Sequence, residues 1–100
     1  MTKIKQKSTI VKELKNKSIL VTGGAGSIGS ILVETLLKFP IQSVRVLDID
    51  EYALAKLNKR LQDKRLRILL GSILDKDRVD IAGDGVDIVF HLAAIKNIEI

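Results

Sequence analysis

The sequence of 100 residues contains no cysteine, one histidine, one proline and few aromatic side chains. Without cysteine the chain forms no disulfide framework and no thiolate metal site, and a single histidine argues against a structural zinc site. No apolar run approaches the roughly 20 residues that cross a bilayer, and the N-terminus has no signal-peptide core. We therefore expect a cytoplasmic protein with no metal ligands and no membrane partner.

The net charge of +5 comes from one end of the chain. Residues 1–17 contain six lysines and one acid, whereas the rest of the sequence has eleven basic and eleven acidic side chains. We therefore separate a basic N-terminal arm, residues 1–17, from the main unit, residues 18–100. The arm is either a surface for nucleic acid or an anionic membrane, or a solvated leader. The leader is favoured, with no nucleic-acid partner, because the arm lacks aromatic side chains that stack on bases.

The most informative segment is the glycine-rich Thr22–Gly29, which lies between the apolar run Ile19–Val21 and the helical pattern Ile31–Lys38. Such a turn cradles phosphate, because backbone N–H groups and the helix dipole face the anion. Glycines recur at every third position, as Gly23, Gly26 and Gly29. Gly23 would allow a sharp turn, and Gly26 would allow close approach of a pyrophosphate. Gly29 would allow the helix to pack closely on the sheet. The segment predicts a dinucleotide site, and the alternative is a purely structural turn.

An acid stands where a ribose-binding carboxylate is expected. Asp48 ends the apolar run Val44–Leu47, nineteen residues beyond the last of the three glycines, and there it could accept both adenosine ribose hydroxyls. Its charge would repel a 2′-phosphate, so Asp48 favours NAD over NADP without excluding NADP. Arg45, inside the strand, is poorly placed to help NADP bind. The alternative role for Asp48 is a helix cap, for which Asp50 is the better candidate.

Strand and helix patterns alternate along the rest of the chain. Leucines three and four apart indicate an amphipathic helix over residues 51–64, and shorter patterns follow it. This alternation predicts an α/β fold, a Rossmann-like parallel sheet with helices on both faces, truncated after about the fourth strand. The expected spatial order of the strands is three-two-one-four. The predicted strands are 19–21, 44–47, 66–70 and 86–92, and the predicted helices are 31–38, 51–64 and 75–82.

Three stretches resemble the extended short-chain dehydrogenases/reductases, and within them the nucleotide-sugar 4,6-dehydratases of polysaccharide biosynthesis. They are Gly23–Ser30, Asp48–Leu54 and Val86–Lys96. The resemblance, over residues 14–96, implies a reaction in which hydride moves from the sugar C4 to NAD. Water is then eliminated across C5 and C6, and the hydride returns to C6. A nucleotide-sugar 4-epimerase and a stand-alone dinucleotide-binding or interaction module are the alternatives.

The resemblance also implies roles for single residues. Lys96 would lie near the substrate diphosphate or the sugar, although the residues that follow it depart from the family pattern. Ser72 stands where the family has an acid near the adenine amine. His91 is either a hydrogen-bonded strand-end histidine, which we favour, or a proton carrier. The implied cofactor-binding residues are Thr22, Gly23, Gly26, Ser27, Ile28, Gly29, Asp48, Ser72, Ile73, Ala93 and Ala94.

The family's catalytic Tyr-x-x-x-Lys pair belongs to a fifth helix, past the end of this sequence. Tyr52 and Lys56 match its spacing, but they follow the ribose acid and belong to the adenine side. The resemblance therefore implies no catalytic residue here, and turnover of a nucleotide sugar only together with a missing C-terminal half. An unpaired edge of the fourth strand would favour a homo-oligomer or pairing with a separately encoded second half.

Overall fold

One parallel four-stranded sheet organises the computed structural model, which describes residues 9–93. The spatial order β3-β2-β1-β4 and the α/β fold class are those predicted from the sequence. The strands are β1 (Ser18–Thr22), β2 (Ser43–Asp48), β3 (Leu66–Leu70) and β4 (Ile88–His91). The helices are α1 (9–14), α2 (Ser27–Leu36), α3 (Glu51–Leu61) and α4 (Lys76–Gly83).

The central strand β1 pairs with β2 on one side and with β4 on the other. Ile19 lies opposite Val44 and Ile88 in this register, and β2 in turn pairs with β3. Because all pairings are parallel, the carboxyl ends of the four strands meet at one edge of the sheet. The glycine-rich segment and Asp48 both stand at that edge.

Two apolar clusters cover the two faces of the sheet. The larger joins alternate residues of β1 and β2, including Ile19, to α2 and α3, and the smaller packs Leu20 and Leu47 against Ala82 of α4. Neighbouring residues of β1 therefore enter different clusters, and all of Ile19–Val21 is buried. Burial on both faces explains why β1 is a continuous apolar run rather than an alternating one.

The helix boundaries follow local capping chemistry. The Asp50 carboxylate accepts from Ala53 N–H at 3.0 Å, which confirms the predicted cap, and the Asp75 carboxylate caps α4 in the same way, accepting from Arg78 N–H at 3.2 Å. Helix α3 ends before the predicted Lys64, because Gln62 adopts a left-handed conformation with φ 45°. Helix α2 begins at Ser27, four residues before the predicted start at Ile31. The prediction missed this first turn because it lies in the glycine-rich segment, which has no apolar periodicity.

The end of the basic arm packs onto the main unit. Leu14 in α1 is 9% exposed and belongs to the larger cluster. Asn16 N–H donates to Pro40 O at 2.9 Å, which fixes the turn between α1 and β1. The predicted site residues Ala94 and Lys96 lie outside the described residues.

Arg65 closes the C-terminal end of α2. Its guanidinium donates to Leu37 O at 2.6 Å and to Phe39 O at 2.9 Å, and it pairs with Asp63 at 2.9 Å. The side-chain hydrogen bond from Arg65 lowers the pKa of Asp63 and raises the pKa of Arg65. The stability contributed by Asp63 is therefore present above its unfolded pKa and is lost as the pH falls through its folded pKa.

Candidate dinucleotide site

A groove of about 730 Å³ opens at the carboxyl ends of the strands. The chain leaves β1 there towards β2, while β4 lies on the other side of β1, so the groove occupies the topological switch point of the sheet. The structure brings most of the predicted cofactor residues together along its walls. These are Gly23, Gly26, Ser27, Ile28, Gly29, Asp48, Ser72, Ile73 and Ala93.

Two glycines shape the backbone of the loop. Gly23 has a positive φ of 73°, and a Cβ there would lie 2.8 Å from Ala93 N. A Cβ on Gly29 would collide with Gly23 O and lie 2.6 Å from the Cα of Gly24. Gly29 therefore lets α2 pack against the loop itself, rather than against the sheet as the sequence suggested.

Gly24 makes the close approach to the sheet, and the sequence analysis did not single it out. A Cβ at this position would lie 2.7 Å from Val46 Cγ1 and 3.2 Å from Val21 Cγ1. The signal was present in the sequence as a fourth glycine, but it stands outside the three-residue spacing. Only the positions of β1 and β2 show what it must avoid.

The start of α2 is suited to an anion. Gly26 is the N-cap residue and offers no side-chain hydrogen bond, so the first N–H groups of the helix have no capping side chain. A Cβ on Gly26 would meet only Gly23 O, at 3.5 Å, an ordinary contact. The fold of the loop thus does not require glycine at position 26. A ligand that must reach the helix N-terminus does require it, because any side chain there would stand in the path.

Asp48 joins the end of β2 to the glycine-rich loop. Its Oδ2 accepts from Ala25 N–H at 3.0 Å, and its Oδ1 accepts from Asp50 N–H at 3.0 Å. The cap of α3 is Asp50, so Asp48 is not the capping residue. A carboxylate has about four lone-pair sites, so both oxygens of Asp48 keep acceptor capacity for a ligand in the groove.

Thr22 links the start of the loop to the end of β4. Its side chain is buried, with Oγ1 2.8 Å from His91 Nδ1 and accepting from Ala93 N–H at 3.3 Å. The Thr22 hydroxyl has two acceptor sites and one donor, so it can accept from Ala93 N–H and still pair with His91 Nδ1. His91 is therefore the hydrogen-bonded strand-end histidine that the sequence favours.

The far end of the groove has apolar walls. Ile49, which directly follows β2, is 73% exposed, and Leu74, in the turn between β3 and α4, is 71% exposed; both line the groove. The Ser72 hydroxyl accepts from Leu74 N–H at 3.0 Å, so it holds the turn after β3 in place. Sequence analysis missed Ile49 and Leu74, although their places beside Asp48 and Ser72 were a usable signal.

Three residues that the sequence analysis considered, Tyr52, Lys56 and Arg45, do not line the groove. Tyr52 is 73% exposed on α3, where Lys56 Nζ stands 5.3 Å from its ring centroid, and neither residue lines the groove. The Arg45 guanidinium donates to Ala82 O at 3.0 Å and to Asp84 O at 2.6 Å. Arg45 thus caps the C-terminal end of α4, a role that its position inside a strand did not reveal.

The strand order and the switch-point groove define a Rossmann-like unit, and comparison with known proteins gives its family. Residues 19–100 match the family described as polysaccharide biosynthesis protein. The chain belongs to this family, and the predicted resemblance to extended short-chain dehydrogenases/reductases is confirmed.

Curated relatives are between 31% and 51% identical to this chain over the aligned residues. It is 51% identical over 84 residues to an uncharacterized membrane protein of Methanocaldococcus jannaschii, covering 84% of this chain and 25% of that protein. It is 31% identical over 87 residues to the UDP-glucose 4-epimerase of Rickettsia prowazekii, covering 83% and 26%. It is 31% identical over 85 residues to the inverting UDP-N-acetylglucosamine 4,6-dehydratase of Campylobacter jejuni, covering 84% and 25%. The chain spans about a quarter of the length of these relatives.

Solved structures show the same fold. Pen from Bacillus thuringiensis superposes with a TM-score of 0.78 at 38% identity, covering 85% of this chain and 26% of that one. WbmF from Bordetella bronchiseptica, solved in complex with NAD+, superposes with a TM-score of 0.67 at 31% identity, covering 83% and 24%.

Residues 9–93 contain neither a membrane-spanning helix nor a cluster of metal ligands. None of the helices there is both long enough and apolar enough to span a bilayer. In the same residues, no three His, Asp or Glu side chains are grouped so that they could hold a metal ion.

Proposed function

We propose that this chain is the NAD-binding portion of a nucleotide-sugar 4,6-dehydratase of surface-polysaccharide synthesis. The observation that carries the proposal is the groove, in which an uncapped helix N-terminus and a carboxylate face the same space. The family match and the likeness to WbmF, solved with NAD+, support it. NAD, when bound, would take up and return the hydride of the reaction.

The groove offers a place for each part of the dinucleotide. The first N–H groups of α2, at Ser27 and Ile28, would hold the pyrophosphate. Asp48 would accept the ribose hydroxyls, and the apolar walls at Ile49 and Ile73 would take the adenine. The nicotinamide would then lie towards Ala93, whose small side chain permits close approach.

The charge at Asp48 favours NAD over NADP. A 2′-phosphate would meet the carboxylate of Asp48, whose oxygens already accept the N–H groups of Ala25 and Asp50. Arg45 supplies no compensating charge, because its guanidinium is committed to the end of α4. A cytoplasmic location fits this proposal, since NAD and nucleotide sugars are cytoplasmic metabolites.

A nucleotide-sugar 4-epimerase is the second candidate, favoured by the likeness to the Rickettsia enzyme. The two reactions share the hydride step from the sugar, so the groove suits both. The dehydratase is preferred because residues 19–100 match the polysaccharide biosynthesis family. In either enzyme, Lys96 is proposed to lie near the sugar nucleotide, beside the nicotinamide end of the groove.

Calorimetric titration of the purified chain is expected to show NAD binding and at least tenfold weaker NADP binding. Asp48→Ala should weaken NAD binding at least tenfold, because the ribose hydroxyls lose charge-assisted hydrogen bonds of about 1.5–3 kcal/mol. Gly26→Ala should also weaken binding and should lower stability by no more than about 1 kcal/mol, since its Cβ meets only one ordinary contact and alanine is a poorer N-cap than glycine. If both variants bound NAD with wild-type affinity, the groove would not be the NAD site.

The chain alone is expected to leave UDP-N-acetylglucosamine unchanged. Among residues 9–93 the Tyr-x-x-x-Lys spacing occurs at Tyr52 and Lys56, neither of which lines the groove. The assay, nucleotide-sugar chromatography, should be run on a preparation already shown to bind NAD, so that an empty site does not explain inactivity. Conversion by the chain alone would contradict this expectation.

Turnover is proposed to need further polypeptide at the β4 edge. In the described residues β4 pairs only with β1, and Val89 on it is 54% exposed. The relatives are about four times as long as the stretch that matches this chain. An additional strand, from a longer chain, a separate second half or another copy, would cover this edge.

A further inference from the structure

The end of the sheet opposite the groove gathers lysines from separate parts of the chain. Asn16 N–H donates to Pro40 O at 2.9 Å, and Lys17 O accepts from Gln42 N–H at 2.9 Å. The basic arm therefore lies against the segment that connects α2 to β2. Leu14, buried in the larger cluster, holds the arm there.

The start of β3 reaches the same place through Arg65. Its guanidinium donates to Leu37 O and Phe39 O, at the end of α2, while Arg65 O accepts from Val44 N–H at 2.9 Å. Lysines that are exposed or half-exposed flank these contacts. We call them the basic end: Lys15, Lys17, Lys38 and Lys64.

Acids at this end offset part of the charge. Glu13 is exposed on α1, and Asp63 is neutralised by its ion pair with Arg65. Asp84 and Asp87 are exposed before β4, and the Asp87 carboxylate accepts from Ser18 N–H at 2.8 Å. Neither of the ion pairs found in residues 9–93 uses a lysine. The groove end carries the acids Asp48, Asp50, Glu51 and Asp75, together with the basic residues Lys76 and Arg78 at the start of α4.

The side chains of the basic end suit a diffuse anionic surface. Lysine is a mobile point charge, whereas the planar fork of arginine suits specific phosphate recognition, and here Arg65 and Arg67 are engaged with protein carbonyl groups. Ile10, 45% exposed at the start of α1, adds an exposed apolar group to the arm. The arm has no aromatic side chain that could stack on a nucleic-acid base.

We infer that the basic end binds the anionic surface of a phospholipid membrane. The groove then faces away from the lipid, because the five residues of β1 set it about 16 Å beyond the basic end. Sequence alone favours a solvated arm without a membrane partner. The inference departs from that expectation because the folded chain places Lys38 and Lys64 beside the lysines of the arm, at one end of the sheet.

Vesicle sedimentation of the full chain tests this inference. Vesicles with roughly 30% phosphatidylserine should bind the chain, pure phosphatidylcholine vesicles should not, and binding should weaken as salt rises above about 0.1 M. Each lysine near an anionic surface contributes about fivefold in affinity. The triple variant K15Q/K38Q/K64Q is therefore expected to lose about 100-fold.

The matched comparison sets K38Q/K64Q, expected to lose about 25-fold, against K56Q/K76Q, which removes the same charge from exposed positions on α3 and α4 away from the basic end. K56Q/K76Q should lose no more than a few-fold, and circular dichroism should show both variants folded. Equal losses in the two variants would overturn the inference, because net charge alone would then explain binding. So would equal binding to both vesicle types, or tighter binding to a single-stranded oligonucleotide than to the anionic vesicles at the same salt.

Discussion

Gly29→Ala is expected to abolish NAD binding and to destabilise the fold by about 1–3 kcal/mol. The added Cβ would collide with Gly23 O and would stand 2.6 Å from the Cα of Gly24, both backbone atoms of the same loop. Backbone cannot move aside as a flexible side chain can, so the loop or the start of α2 must shift. Either shift displaces the N–H groups proposed to hold the pyrophosphate. Calorimetry and urea denaturation measure the two effects separately.

Gly83→Ala is the control for this substitution. Gly83 is the last residue of α4, and a Cβ there would meet no atom within 4 Å. Alanine at this position should leave NAD affinity unchanged and should not lower stability. If Gly29→Ala bound NAD as tightly as Gly83→Ala, the close contact between α2 and the loop would be absent in solution.

The sheet order and most of the groove could be predicted because their signals are local. The strand, the glycine-rich turn and the helix around Gly26 are consecutive in sequence, and parallel topology then brings Asp48 to the same edge. The N-caps Asp50 and Asp75 were predictable for the same reason, since a cap contacts N–H groups only three residues away.

Contacts between distant segments could not be predicted in this way. The need for glycine at position 24 depends on where Val46 sits in the neighbouring strand. Arg45 and Arg65 each satisfy carbonyl groups of a helix end more than 25 residues away in sequence. Neither partner can be identified until the helices and strands have been packed, because an arginine side chain reaches many candidate carbonyls. The same limit hid the basic end, whose lysines come together only in the folded chain.

Ile19→Ala is expected to remove about 2–5 kcal/mol from the free energy of unfolding. Ile19 is fully buried at the centre of the sheet, between Val44 and Ile88, so the deleted atoms leave a cavity that neighbouring strands cannot close. The free energy of unfolding of a unit of this length is about 5–15 kcal/mol, so the substitution would remove a large fraction of it. Urea denaturation followed by circular dichroism measures the loss.

Ile31→Ala removes the same atoms from a side chain that is 64% exposed on α2. It should change stability by no more than about 0.5 kcal/mol, because little apolar surface returns to water and alanine favours the helix. Equal losses at the two positions would mean that β1 is not the buried centre of the sheet in solution. A large loss of stability at Ile19 alone would show that the groove depends on this core, because β1 ends at Thr22 and the glycine-rich loop follows it. NAD affinity should then fall in the Ile19 variant only as far as its folded fraction falls, which separates a role in stability from a role in the site.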